Sequence, residues 1–467
     1  MESYQTIADA MAADILAGRL RPGDRLPPQR ELADRRGIAV STASRVYAEL
    51  IRRGLAVGEV GRGTYVRAAA KPPGPTLVEP PDAPVDLELN YCILPEQIDA
   101  MAPVLSAIAA PTGRGALADA LRPVGASATS AAREATAAFL ARGGWTPDPA
   151  NVLFAGAGRQ AIAVAMAALA PVGGHIGVEA LTYPIVRGIA ARIGVTLEPL
   201  ALDAEGLRPE AVVHAHRARP LSAIYVQPTL HNPLGTTMSR ARREELADVL
   251  KDTGIVAIED AIYSFLADEE PLATFAPDRT ILVDSLSKRL APGLNVGFLV
   301  APERLTEKLA TTIRSGGWLA NGFALAAGLR WMTDGTAARI AEAKRQKAAR
   351  GHRLAVELLD GLTVRGDPRA FHVWVELPNT WRADTFAAAA GRLGIALTPA
   401  SAFTIGAGHA PNAVRLALAS PPHDAAARAL RKLRQLAMAS DYEADLDGFA
   451  FSQAMTSSAF LSGGKTG

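Results

Sequence analysis

Residues 283–300 read VDSLSKRLAPGLNVGFLV, and the architecture is legible from there outward. Thr280–Asp284 is an apolar, β-branched run, read as a buried strand, and a serine-flanked turn follows it. Lys288 stands in that turn, between Ser287 and an apolar loop. Desolvation at such a place lowers a lysine's pKa and leaves a nucleophilic amine, so Lys288 is a candidate Schiff-base lysine. Upstream, Asn151–Phe154, His175–Glu179, Ser222–Gln227 and Ile255–Asp260 read as further strands, and Gly158–Leu169 as a helix. Repeated strand–helix alternation predicts an α/β fold with a mainly parallel sheet. Downstream, a long helical stretch begins near residue 318, and Phe371–Leu377, Ile395–Thr398 and Val414–Ala419 read as strands with helices between. This is a smaller α+β subdomain over about residues 355–440.

The strand ends carry the chemistry. IEDAIYSF puts Asp260 at a strand terminus, where a carboxylate can pair with a pyridinium nitrogen, and Tyr263 three residues on, where a hydroxyl can bond a ring oxygen. YVQPTLHNPLGTTMS holds Asn232 in a turn after another strand, and Tyr183 in LTYP offers a flat face for a heteroaromatic ring. AGAGRQAI turns from strand into helix at Gly158 and Arg159, where backbone N–H groups and the helix dipole favour a phosphate. Arg415 in AVRLALA is placed to clamp a carboxylate.

Taken in this order, the motifs resemble the fold type I aminotransferases that use pyridoxal 5′-phosphate, over about residues 85–440. The resemblance implies that Lys288 forms the Schiff base with the cofactor and that Asp260 pairs with its ring nitrogen. It further implies that Asn232 and Tyr263 hold the ring oxygen, Tyr183 stacks on the ring, and Gly158, Arg159, Ser285 and Ser287 bind the phosphate. Arg415 would take an amino-acid carboxylate. Two departures stand out. Asn295 occupies the place of a phosphate-binding arginine, for which Arg159 is a candidate substitute, and LRPVGASATSAARE lacks the tyrosine that usually reaches the partner subunit's phosphate.

A second body of sequence precedes this one. AAAKPPGPTLVEPPDAP carries six prolines between Lys71 and Pro84, a density that favours a stiff, extended spacer. It separates residues 1–67 from the rest, giving a head (1–67), a linker (68–86), a large domain (87–440) and an irregular tail (441–467). Within residues 1–70, eleven arginines and no lysine face eight acids, a local positive excess on a chain whose net charge is only +2. Residues 4–17 are amphipathic through Ile7, Met11, Ile15 and Leu16; Arg30–Arg36 and Ser41–Arg53 are two short helices about Gly37, with an N-cap at Ser41-Thr42. Gly54 ends the second, and Ala56–Val60 and Thr64–Val66 alternate as a hairpin about Gly61-Arg62-Gly63. Ile38, Val46 and Leu50 belong to the core of this unit.

LPPQRELADRRGIAVSTASRVYAELIRRGL and VGRGTYV resemble the winged helix-turn-helix of the GntR transcription factors. The resemblance implies double-stranded DNA as partner, with Arg30, Ser41, Thr42, Ser44 and Arg45 on the helices and Gly61, Arg62 and Gly63 in the wing as the contacting residues. Val40 stands where that family usually has a basic residue. A GntR-type head on an aminotransferase-like body resembles the MocR subfamily of GntR regulators. That implies a homodimeric transcriptional regulator in which an amine or amino-acid effector reacts at Lys288 and alters DNA binding. The same groups serve an aminotransferase that merely carries a DNA-binding head, or a relic that binds neither cofactor nor ligand, and the sequence leaves these open.

Composition sets the outer limits. A chain of 467 residues implies two or three domains, and 49% hydrophobic against 21% charged residues excludes wholesale disorder. One cysteine, Cys92, excludes an internal disulfide framework and any multi-cysteine metal site. His175, His214, His216 and His372 lack ligand spacing, so no metal is expected. The apolar run at Ala161–Pro171 is too short to span a bilayer, and MESYQTIADA lacks a signal-peptide pattern, so a cytoplasmic protein is expected.

Overall fold

The computed structural model describes residues 3–16, 19–20, 24–59, 63–66, 83–110, 112, 114–406 and 410–439, which form two compact units. Gly61 and Arg62 of the wing, residues 68–82 of the linker and the tail from 441 lie outside the described residues.

The first unit is helical with a hairpin: α1 (Tyr4–Leu16), α2 (Gln29–Arg36), α3 (Val40–Arg52), β1 (Ala56–Glu59) and β2 (Gly63–Val66). The strands pair antiparallel from Ala56↔Val66 to Glu59↔Gly63. Between α2 and α3, Gly37 takes φ +62° and its N–H caps the carbonyls of Ala33 and Asp34, a left-handed turn for which glycine has no Cβ penalty. Ile7, Met11, Leu32, Val46, Tyr47, Leu50 and Val66 form the core, with Ile15 and Ile38 packed on it. Each aliphatic side chain so buried contributes about 1.5–3 kcal/mol. The start of α3 differs from expectation. Ala39 is the N-cap and offers no side-chain bond, so Ser41 and Thr42 lie inside the first turn and do not cap it. Their hydroxyls are therefore not consumed by helix ends.

The second unit is α/β. Its central sheet has seven strands: β3 (Val152–Ala155), β4 (His175–Glu179), β5 (Thr196–Leu200), β6 (Ala223–Val226), β7 (Val256–Asp260), β8 (Thr280–Ser285) and β9 (Gly297–Val300). They lie in the order β3-β9-β8-β7-β6-β4-β5. Within this sheet all pairings are parallel except those of β9, which runs antiparallel to β3 and β8. Strands β3, β6, β7, β8 and β9 are buried along their whole length, as a sheet covered on both faces requires. Two of the seven, β5 and β9, have no counterpart among the strands expected from sequence.

The smaller subdomain is a four-stranded sheet, β10 (Thr363–Arg365), β11 (His372–Glu376), β12 (Thr398–Pro399) and β13 (Ala413–Ala417), in the order β10-β11-β13-β12. The expected single strand Ile395–Thr398 is divided. Ile395–Ala396 pairs parallel with Val85–Asp86, while β12 joins β13. The 23-residue helix α4 (Thr336–Leu358) runs from one core to the other. Ala337 and Ile340 pack with Leu286 and Leu290 of the large subdomain, and Ala355 packs with Val373 and Leu416 of the small one. No helix among the described residues is long and apolar enough to cross a membrane.

Candidate functional site

In the head, α3 turns Ala43, Val46, Tyr47 and Leu50 inward, leaving Ser41, Ser44 and Arg45 exposed and Thr42 half-buried. Arg35 pairs with Glu31; Arg52 and Arg53 pair with Glu49, and Arg53 also with Asp9 at 2.7 Å. Arg30 and Arg45 are exposed and have no ion-pair partner among the described residues, so both guanidinium groups are available to phosphate oxygens. Val40 is 47% exposed on the same helix, an apolar group suited to a methyl or sugar face. Gly63 opens β2. The hydroxyl of Tyr47 donates to the carbonyl of Pro27, fixing α3 to the loop before α2, and burial pushes that hydroxyl up to about 12.

In the second unit the candidate residues converge at the C-terminal ends of the parallel strands, the edge where open α/β sheets place ligands. Asp260 is the last residue of β7 and is 4% exposed. Its Oδ2 accepts from the Tyr225 hydroxyl at 2.5 Å and from Gln227 Nε2 at 3.0 Å, and its Oδ1 from the Ile262 amide at 3.1 Å. Burial pushes this carboxyl up to about 6 against those hydrogen bonds, so a cation beside it would be strongly favoured. Gln227 also accepts from the Asn232 amide at 3.2 Å, so one side chain orients both Asp260 and the Asn232 turn.

Lys288 follows β8 in a single turn, Leu286–Arg289. Ser285 begins that turn, its hydroxyl accepting from the Ser287 amide at 3.2 Å. The Lys288 ammonium donates to the Asn90 carbonyl. Burial first, then the positive charges of Arg159 and Arg415, push its pKa down to about 7, so much of the amine is neutral at neutral pH. Arg289 anchors the turn by pairing with buried Asp284 at 2.6 Å and lying over the rings of Phe139 and Phe265.

Asn90 joins both ends of the cleft. Its Nδ2 donates to the Tyr263 hydroxyl at 2.9 Å and lies 3.0 Å from His372 Nδ1. His372 Nε2 faces the His231 carbonyl at 3.0 Å, so Nε2 carries the proton and Nδ1 accepts. Burial holds this imidazole neutral, down to about 3. Because Tyr263 accepts from Asn90, its own hydroxyl proton remains available to an acceptor in the cleft, and burial raises its pKa.

Arg415, on β13 and 5% exposed, donates to the Glu88 carbonyl, to Thr398 Oγ1 at 2.8 Å and to Asn232 Oδ1 at 3.4 Å, and lies over the Phe403 ring. Its Nε has no hydrogen-bond partner among the described residues. Arg159 reaches the Tyr183 hydroxyl with Nε at 3.1 Å.

Gly158 begins the helix that follows β3, and a Cβ there would come within 3.3 Å of Ser285 Oγ. Behind it, a Cβ on Gly297 would lie 2.4 Å from the Ala157 carbonyl oxygen, so glycine is needed for this close approach. The backbone amides of this helix start and the hydroxyl of Ser285 thus border one space suited to an anion. Asn295 takes φ +49° after Pro292–Leu294 and is exposed, a left-handed position that asparagine tolerates well. Sequence reasoning missed Tyr225, Gln227 and Asn90. The first two were visible only as polar groups in the run leading to Asn232.

Comparison with known proteins agrees with both halves. Residues 118–433 match the family Aminotransferase class I and II, and residues 3–66 match Bacterial regulatory proteins, gntR family. YdeF of Bacillus subtilis (strain 168), an uncharacterized HTH-type transcriptional regulator, is 29% identical over 421 residues, covering 90% of each chain. PtsJ of Salmonella typhimurium, a vitamin B6 salvage pathway transcriptional repressor, is 26% identical over 315 residues, 66% of this chain and 70% of its own. Among solved structures, an archaeal alanine:glyoxylate aminotransferase superposes with TM-score 0.69 at 21% identity, over 76% of this chain and 90% of that one. The α-aminoadipate aminotransferase LysN of Thermus thermophilus, complexed with N-(5′-phosphopyridoxyl)-L-leucine, gives 0.67 at 21%, over 75% and 91%. The chain belongs to the aminotransferase class I and II family and carries a gntR-family match at residues 3–66, an arrangement consistent with the MocR subfamily of GntR regulators.

Proposed function

We propose that this chain is a cytoplasmic transcriptional regulator that binds promoter DNA as a homodimer and holds pyridoxal 5′-phosphate in its body. Its effector is an amine or amino acid that competes with Lys288 for the cofactor aldehyde. The observation that carries the reading is the pairing, in one cleft, of a lysine pushed down to about 7 with a buried carboxylate that has no cation partner among the described residues, on a chain that also bears a winged helix. When bound, the cofactor supplies an aldehyde that condenses with primary amines and a ring that withdraws electrons.

The residues present fit that group. Asp260 would stabilise the protonated ring nitrogen, oriented by Tyr225 and Gln227. Tyr263 and Asn232 would hold the ring oxygen, Tyr183 would cover one ring face, and the Gly158 amide with Arg159, Ser285 and Ser287 would bind the phosphate. The Gly158–Ser285 space that a methyl group would fill supports this. Arg415, whose Nε has no partner among the described residues, would take a carboxylate. Arg30, Ser41, Thr42, Ser44, Arg45 and the wing residues would contact DNA. Named relatives that are transcriptional regulators, one of them in vitamin B6 salvage, support the same reading.

Effector binding changes DNA affinity only if the two DNA-binding states hold effector unequally. A second reading, steady transamination, is favoured by the near-neutral Lys288 amine, which could move a proton at the substrate carbon. One experiment separates them. Protein saturated with pyridoxal phosphate is mixed with a panel of amines and amino acids while absorbance, oxo-acid release and promoter binding are followed. A spectral change with altered DNA affinity and no steady release is expected. Continuous oxo-acid production with unchanged DNA affinity would refute the regulator.

A further inference from the structure

Lys344 lies in the middle of α4 and is fully buried, at 0% exposure. Among the described residues it has no carboxylate at ion-pair distance. Its ammonium instead donates to two main-chain carbonyls, that of Lys288 at 2.9 Å and that of Leu290 at 2.5 Å. The second is also held by Gln97 Nε2 at 3.1 Å. A buried ammonium without a counter-ion is costly, and a methionine or leucine would fill the same volume at less expense. The carbonyls it satisfies belong to the Lys288 residue itself and to the second residue after it.

Helix α4 is also the element shared between the subdomains. Residues before Lys344 pack with Leu286 and Leu290, Ala341 and Ala348 pack beside Tyr263 and Phe371, and Ala355 lies in the core of the small subdomain.

We propose that Lys344 is a positioning residue for Lys288: its ammonium ties the backbone of the Lys288 turn to α4, so that the reactive amine and the helix shared by the subdomains move together. Its charge acts on the same amine. Lys344 is one of the positive groups that hold Lys288 in its neutral form, after burial, Arg159 and Arg415, and burial pushes Lys344 itself down to about 8. The claim deepens the reading of Lys288 as the reactive lysine and supplies a route from that residue to the small subdomain.

The test uses the full-length, cofactor-free protein. Trace labelling with acetic anhydride across a pH series, followed by peptide mapping, gives the midpoint at which Lys288 becomes reactive. Lys344→Met removes the charge and both donors. Its midpoint is expected to rise by about half a pH unit or more, on the order of a twofold loss of neutral amine at pH 7. Lys344→Arg keeps charge and donors and should lie closer to wild type. Near-UV circular dichroism identifies folded variants, and Lys344→Gln replaces the methionine variant if that one does not fold. An unshifted midpoint in the folded methionine or glutamine variant overturns the proposal, and so does an equal shift in Lys344→Arg. Because labelling is read without cofactor, a wild type that binds no pyridoxal phosphate would refute the cofactor reading and leave this comparison intact.

Discussion

Asp260 is the residue at which the energetics are sharpest. Its carboxyl is raised to about 6 by burial, so the unfolded chain, with an ordinary carboxylate, ionises first. Between about pH 4 and 6 this carboxyl holds more proton in the folded state, so its contribution to stability falls as pH rises, while buried His372 contributes in the opposite sense. Asp260→Asn removes the titrating group. Thermal melts of cofactor-free protein should show wild type losing on the order of 3 kcal/mol relative to the asparagine variant from pH 4 to 7, the rise contributed by His372 being common to both. Absorbance titration should show the variant at least tenfold weaker for pyridoxal phosphate. Equal affinity would mean that Asp260 does not meet the ring nitrogen. Asp260, Tyr263, Asn232 and Lys288 stood out as candidates because each sits in a short motif at a strand end. Their supports were not. Tyr225 reaches Asp260 across 35 positions and Asn90 reaches Tyr263 across 173, contacts created by topology with no local pattern to announce them.

At the scale of elements, the strands that escaped sequence reading have physical reasons to do so. β5 is the sheet's edge; Thr196 and Pro199 are exposed along it, so it shows no apolar run, and proline is tolerated there because an edge strand need not donate on both sides. β9 has only four residues and starts with glycine, so it merges with the loop before it. That glycine is nonetheless where the strand matters most. A Cβ at 297 would meet backbone atoms of Ala157 and Gly158, which cannot rotate away. Gly297→Ala should therefore lower stability by about 1–3 kcal/mol and push back the helix start that begins at Gly158. Melting curves and the affinity for free phosphate measure the two effects. A variant that melts with wild type and binds phosphate as well would show that the helix start yields freely. α3 carries a similar lesson. The serine-threonine pair looked like a cap, yet the helix begins one residue earlier at Val40. Both hydroxyls thereby stay on helical positions, where a groove-binding helix can use them.

For the molecule as a whole, two units with separate cores were legible from the proline-rich spacer and from the change in periodicity across it. The path of the chain as it enters the second unit was not. Val85–Asp86 pairs with Ile395–Ala396, the Glu88 carbonyl receives Arg415, and the Asn90 carbonyl receives Lys288. Val85 and Asp86, read as the end of the spacer, thus belong to the body, and the residues just after them line the cleft. This has a practical edge for anyone who wishes to separate the two activities. A scissile point placed ahead of residue 83 should release a body that still turns yellow with vitamin B6 aldehyde, whereas one placed after Leu94 should yield a protein that stays colourless, having lost the acceptors of its two principal cations. If the shorter fragment colours as readily as the longer one, the incoming strand is a bystander. If it does not, residues 83–94 are a structural wall of the cleft and not a mere lead-in to it.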